Sequence, residues 1–368
     1  MFRLVAMLVL SFSFYLPLSG LASQGDVGPD DILFGVNLDF SQDSVSAFNE
    51  RLGQPLAAYG RFTPFPLEGA EIDALQAFID DVAAVGGMAV LTVEPSIPLN
   101  EITATDASNL AQRMALANAE GVPVLLRFAP EMNGTWHAWG QQPEAYVAAF
   151  RLIADAVHTF APETSMLWSP NYGNGYPFGD RTATPAATAL DTDGDGVLTG
   201  SDDPYAPYYP GDAYVDWVGL TLFYWGNAYP WGENEVPTPG MFVTQARGGP
   251  NFYDTYVAAT GKPFALFTAA LVNQEAEGSD QAVEIKREWW RQVLAAGSEE
   301  LPGLRLVEWL EWVRPEPEAG GATIDWTLTG DAAVRDAFVA DIPTLSLVVP
   351  SPTGPSTPIA RYQDERTV

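Results

Sequence analysis

Residues 122–140 read VPVLLRFAPEMNGTWHAWG. From Val122 to Phe128 the chain is almost wholly apolar, and a carboxylate, Glu131, follows close behind. A continuous apolar run of this length suits a strand covered on both faces, as in a parallel sheet wrapped by helices. Tryptophans follow at 136 and 139. An acid placed where a buried strand stops, beside flat aromatic faces, points to a group that meets a sugar. A carboxyl there can protonate a glycosidic oxygen, and indole rings can stack on the apolar faces of sugar rings. The competing reading is a carboxylate paired with Arg127 and tryptophans that fill the core.

The same kind of run recurs on both sides. Upstream stand ILFGVNLDF (32–40), PLAAYGRFTPF (55–65) and GMAVLTVEPS (87–96). Downstream are TSMLWSPN (164–171), VDWVGLTLFYW (215–225), KPFALFTAAL (262–271) and LRLVEWLEW (304–312). Amphipathic helical patterns lie between them, among them IDALQAFIDDVAAV, EAYVAAFRLIADAVHTF and AVEIKREWWRQVLAA, and DAAVRDAFVAD closes the series. Eight strands alternating with helices predict a (β/α)8 TIM barrel over residues 28–342. The alternative, an open doubly wound sheet, is disfavoured because no glycine-rich phosphate turn follows the first strand. In a barrel, active residues sit where strands end, so Asp39, Arg61, Glu94, Glu131, Asn171, Tyr224 and Glu311 become candidates.

The formal charge of -30 argues against nucleic acid and anionic lipid as partners, because an acidic surface repels polyanions. MFRLVAMLVLSFSFYLPLSGLASQG opens with Arg3 and an apolar stretch, then small residues. Residues 1–23 therefore read as a signal peptide of a secreted, extracellular protein. No later stretch is long and apolar enough to span a bilayer, so no membrane partner is expected. With no cysteine, neither disulfides nor a thiol nucleophile can contribute. The Pro/Ser/Thr-rich residues 343–368 read as a tail, and the chain is expected to be a monomer.

RFAPEMNGTWHAWG resembles the acid/base segment of glycoside hydrolase family 26, usually written with His-Glu-Met-Asn-Gly and an aromatic continuation. MLWSPN, YYPGDAYVDWVGL and KPFAL extend the resemblance, while YPFGD and WGNAYPWGENEVP are similar to a fungal-type, β-mannanase-like branch. The resemblance implies a barrel, two catalytic glutamates, retention of anomeric configuration, no catalytic cofactor and a β-linked polysaccharide, most commonly β-mannan. Carried over, Glu131 matches the general acid/base, although Pro130 stands where the family has His. The family's nucleophile ends strand seven in a segment like KPxxIxETAA. Here KPFALFTAALV offers Phe267 or Thr268 at that place, and neither replaces a carboxylate.

Retention needs two carboxyl groups about 5–5.5 Å apart. Three accounts stay open: a carbohydrate-binding relative that has lost cleavage, a recruited carboxylate, or an error in the sequence at this point. Glu311 or Glu308 on strand eight are the nearest substitutes, and at three residues apart they face opposite sides of a strand. Glu94 is a further candidate, though an ion pair or hydrogen bond with Arg61 or Arg127 is the preferred reading of it. Trp136, Trp139, Trp168, Trp225 and Trp231 are candidate sugar platforms, with Arg127, Asn133, Asn171, Tyr224 and Trp312 as further contacts.

DTDGDGVLTGSDD (191–203) carries oxygen ligands at EF-hand-like spacing: Asp191, Asp193, Asp195, the Val197 carbonyl, Thr199 and Asp202. A structural calcium ion is the expectation; a solvated acidic turn is the alternative. His137 could touch ligand and His158 reads as structural. The sequon at Asn133 sits inside the mouth motif, where a glycan would block access.

Overall fold

In the computed structural model, residues 32–179, 189–248, 250–345 and 347–348 are described. The proposed signal peptide and all but the start of the proposed tail lie outside them. The barrel strands are β1 (Ile32–Leu38), β2 (Ala58–Phe65), β3 (Met88–Pro95), β4 (Val124–Phe128), β5 (Thr164–Trp168), β6 (Trp217–Thr221), β7 (Phe264–Thr268) and β8 (Leu304–Glu311). Each pairs in parallel with the next, and β8 closes on β1 through Leu33↔Leu306 to Leu38↔Glu311. The predicted TIM barrel is therefore observed, and the open sheet is excluded by that last pairing.

Helices α1 (Val45–Leu52), α2 (Ala70–Val85), α3 (Ala104–Ala119), α4 (Pro143–Phe160), α5 (Met241–Arg247), α6 (Ala282–Glu299) and α7 (Ala332–Asp341) alternate with the strands except between β5 and β6, where the described residues hold only a 3-10 turn, Ala206–Tyr208. Three of their starts carry side-chain caps. Ser44 accepts from the Ala47 N–H, Thr103 and Asp106 form a capping box, and Asp331 accepts from Ala333 and Val334. Between α5 and β7 the chain forms a π-helical turn at Tyr253–Ala258. No helix among the described residues is long and apolar enough to cross a membrane.

Two apolar layers result. Leu33, Ala58, Met88, Val90, Leu125, Leu167, Trp217, Ala265, Phe267 and Leu306 fill the inside of the ring. The larger layer, including Phe34, Val36, Tyr146, Phe150, Trp289 and Trp309, lies between strands and helices. Most expected strand runs end earlier than predicted. Beyond β4 the chain turns out of the sheet, with Ala129 at φ 43° and Glu131 at φ 56°, so those residues belong to the mouth. A small antiparallel sheet, absent from the sequence reading, joins Val272–Asn273, Ala322–Asp325 and Val313–Glu316 beyond the C-terminal ends of β7 and β8.

Candidate active site

A cavity of about 770 Å³ opens at the C-terminal ends of the strands. β4 delivers Glu131 to it. Left-handed backbone at two non-glycine residues, Ala129 and Glu131, is strained. The loop is held in that shape by Glu131 N–H donating to Ser169 O (2.9 Å), Gly134 N–H to Glu131 O (2.8 Å) and Trp139 Nε1 to Pro130 O (2.8 Å).

The Glu131 carboxylate accepts a 2.7 Å hydrogen bond from Trp136 Nε1, and His137 Nε2 stands 3.7 Å from the same oxygen. Burial alone would raise this carboxyl. His137, the Arg127 charge and the Trp136 N–H outweigh burial and hold it below its ordinary value.

Arg127 lies one layer below, 4% exposed. It donates to Ser169 Oγ (3.1 Å) and Thr221 Oγ1, and no ion pair joins it among the described residues. Its guanidinium carbon sits 3.7 Å from the centroid of the Phe267 ring. Phe267 therefore fills the inward-facing place at the end of β7. Thr268 donates to Leu222 O (2.6 Å) and accepts from Trp289 Nε1 of α6 (2.9 Å), so its hydroxyl is fully engaged and buried. Neither residue is a nucleophile.

Residues 77–248 match "Glycosyl hydrolase family 26". The likeness to family 26 holds. The matched segment carries Glu131 and stops short of β7. Endoglucanase H of Acetivibrio thermocellus is 26% identical over 202 residues, covering 52% of this chain and 20% of that protein, so the match spans about a fifth of the relative's length. Among solved structures, a double mutant of the Cellulomonas fimi endo-beta-1,4-mannanase superposes with a TM-score of 0.58 at 17% identity, covering 89% of this chain and 74% of its own. An engineered protein gives 0.57 at 17% identity, covering 89% and 72%. At these identities the structural likeness concerns the fold.

Of the other residues nominated in this family-26-like chain, Glu94, Arg127, Trp136, Asn171, Trp225, Trp231 and Trp312 line the cavity together with His137. Glu94 forms no ion pair with Arg61 or Arg127 among the described residues. Arg61 faces Glu71 at 3.5 Å instead, and burial raises the Glu94 carboxyl against the charges of His137 and Arg127.

Five nominations are corrected. Trp139 is buried and stacks beneath His137, with ring centroids 4.3 Å apart, so it supports the mouth without facing it. Trp168 is wholly buried between Tyr209, Phe252 and Tyr256. Asn133 is buried and ties the two loops, donating to Asn171 O (2.8 Å) and accepting from Asn171 N (2.9 Å), which also removes it as a glycan acceptor. Tyr224 is buried and donates to Glu235 O. Glu311 faces away from the cavity. Its carboxylate accepts the N–H groups of Leu328 (2.6 Å) and Thr329 (2.9 Å) and the Thr329 hydroxyl.

The sequence reading missed Asn37, Phe62, Phe223 and Arg314, which also line the cavity. A polar Asn37 near the end of an apolar strand was the signal available for the first. Of the calcium ligands, Asp191, Asp193 and Asp195 bring carboxylate oxygens within 4.8 Å of one another. Asp202 does not join that group; its two oxygens accept N–H groups from Thr192, Asp193 and Thr199.

Proposed function

We propose that the cavity takes a β-linked polysaccharide, β-mannan in preference, and hydrolyses its O-glycosyl bonds with Glu131 as general acid. The observation that carries this reading is the strained presentation of Glu131 at the barrel mouth, hydrogen-bonded to an exposed tryptophan. Trp136, Trp225, Trp231 and Trp312 along the same cavity supply faces on which sugar rings stack. The names of the relatives, an endoglucanase and an endo-beta-1,4-mannanase, support a glycan substrate, and the second names a β-1,4 linkage. Release of reducing ends from β-mannan, xylan and mixed-linkage glucan, measured for the wild type and Glu131→Gln, tests the reading.

Phe267, at the place where the family's nucleophile would stand, favours a second reading: a carbohydrate-binding protein that does not cleave. Binding of mannan without turnover is its signature. The proposal also includes export directed by residues 1–23, a catalytic domain over 28–342, a tail at 343–368 and a monomeric chain. A calcium ion among Asp191, Asp193 and Asp195 is supported by the convergence of their carboxylates and by nothing from Asp202. An unchanged melt after chelation removes that ion from the account.

A further inference from the structure

β8 sends a carboxylate into the cavity, and it is not the one that follows the strand end. Glu308 is 2% exposed and lines the cavity floor. Its Oε1 accepts a 2.9 Å hydrogen bond from Asn37 Nδ2 on β1, whereas its Oε2 has no partner. Asn37 Oδ1, beside it, is unpartnered too. The chain makes room for this carboxyl: a Cβ at Gly60 on β2 would stand 1.9 Å from Glu308 Oε1. Buried polar atoms are nearly always satisfied. Two that are not, side by side on a cavity floor, point to a partner delivered through the cavity.

The barrel register says where this carboxyl stands. Glu308 pairs with Phe267 across β7 and β8, and neighbouring strands run about 4.8 Å apart. It is therefore displaced by one strand from the place the family gives its nucleophile. In a closed ring of eight, β8 lies opposite β4, which carries Glu131 and Arg127, whereas β7 is one strand nearer. The displacement widens the gap to Glu131, and Phe267 blocks the nearer position.

Building on the hydrolase reading, we propose that Glu308 is the second catalytic carboxylate, a general base for an attacking water, and that cleavage inverts the anomeric centre. Glu308 takes a proton from water as the water oxygen bonds to the anomeric carbon. The bond from that carbon to the glycosidic oxygen breaks. Its electron pair stays on the leaving oxygen, which takes the proton of the Glu131 carboxyl. Glu308 ends protonated and Glu131 ionised, and exchange with solvent restores both. No covalent intermediate forms, so Phe267 removes nothing this route needs. Inversion uses a carboxyl separation of about 6.5–9.5 Å, the wider of the two glycosidase spacings. Burial raises the Glu308 carboxyl to about 7, against the Asn37 hydrogen bond and the Arg127 charge, while Glu131 is held below its ordinary value, so the reacting form, with Glu131 protonated and Glu308 ionised, is the minor one at any pH.

The test uses the intact protein with β-1,4-mannohexaose. Calorimetry reads binding, and NMR reads the anomer of the first product. The expected results are an α-anomer from the wild type, and Glu308→Gln that binds within threefold of wild type and turns over about 10²–10⁴-fold more slowly. A β-anomer as first product overturns Glu308 as base and leaves the hydrolase reading standing; it needs no variant, so a misfolded Glu308→Gln does not remove the test. Wild-type turnover in Glu308→Gln does the same. A wild type that cleaves none of mannohexaose, xylohexaose and cellohexaose overturns the hydrolase reading, and this inference with it.

Discussion

The Arg127 guanidinium carbon stands over the Phe267 ring, 3.7 Å from its centroid, at the floor of a cavity whose rim holds Glu131. A buried cation is costly, and burial does lower its pKa, opposed by the charges of Glu131, Glu308 and Glu94. It is tolerated because a ring face and two hydroxyls replace its water. Removing the ring leaves both a void and an exposed guanidinium face. Phe267→Ala is expected to lose about 3–5 kcal/mol of stability, measurable by urea denaturation. A loss below about 1 kcal/mol would show that the ring does not hold the layer together.

Trp136 both stacks and donates. Its indole N–H reaches Glu131 Oε2 at 2.7 Å, and 44% of the residue is exposed. Trp136→Ala is expected to weaken mannohexaose binding by about tenfold, or about 1.4 kcal/mol. Trp139→Ala, by contrast, is expected to act through His137 and folding, because that ring is buried. Calorimetry on the two variants separates the roles; equal losses of affinity in well-folded proteins would contradict them.

The two carboxyls assigned to catalysis titrate on opposite sides of the ordinary glutamate value: Glu131 is held down and Glu308 is pushed up to about 7. Arg127 is the charge acting on Glu308; its neighbours Asn37, Gly60 and Phe267 carry none. Below the Glu131 value both groups are protonated and no base is present. Above about 7 both are ionised and no acid is present. The singly protonated pair exists only between these values, so activity is expected to fall below the Glu131 value and again as pH rises through about 7. A profile still rising at pH values well above that would contradict the pairing.

Asp341 at the end of α7 accepts from Arg287 (2.7 and 3.0 Å), Arg291 (2.8 and 2.9 Å) and Trp290 Nε1 (3.0 Å), docking α7 on α6. The Arg287 hydrogen bonds, with those of Arg291 and Trp290, hold its carboxyl well below the usual range against burial. A depressed folded pKa means stability that is present above the unfolded value of about 3.9 and lost as pH falls below it. The arginines are 35% and 51% exposed, so solvent screens the charges. Asp341→Asn is expected to cost about 1–2 kcal/mol at pH 7, a Tm drop of about 2–6 °C, and to lose less on acidification than the wild type. An unchanged melt at pH 7 would contradict this.

The barrel was legible because its strands are buried on both faces, which leaves continuous apolar runs whatever the tertiary detail. Glu131 was legible for the same reason: it interrupts such a run. Alternation along β8 placed Glu308 and Glu311 on opposite faces, but only the pairing with β1 and β7 decides which one looks inward, and that pairing spans the whole chain. Trp136 and Trp139 sit in irregular backbone, where no period tells an exposed ring from a buried one. The rim sheet joins residues 272–273 to 322–325 through strands too short to leave a pattern. Trp168 and Tyr224 were misread because a strand's last residues can turn either way, and here they turn toward the helices.

The proposed function stands or falls with cleavage of a β-linked chain by Glu131 at the barrel mouth. The most direct measurement is release of reducing ends from β-mannan by the wild type and by Glu131→Gln at equal concentration, with folding checked by circular dichroism. Steady release by the wild type and a loss of about 10²–10⁴-fold in the variant, with mannan binding retained, is the expected result. Equal release by both proteins, or none by a wild type that binds mannan, would contradict it.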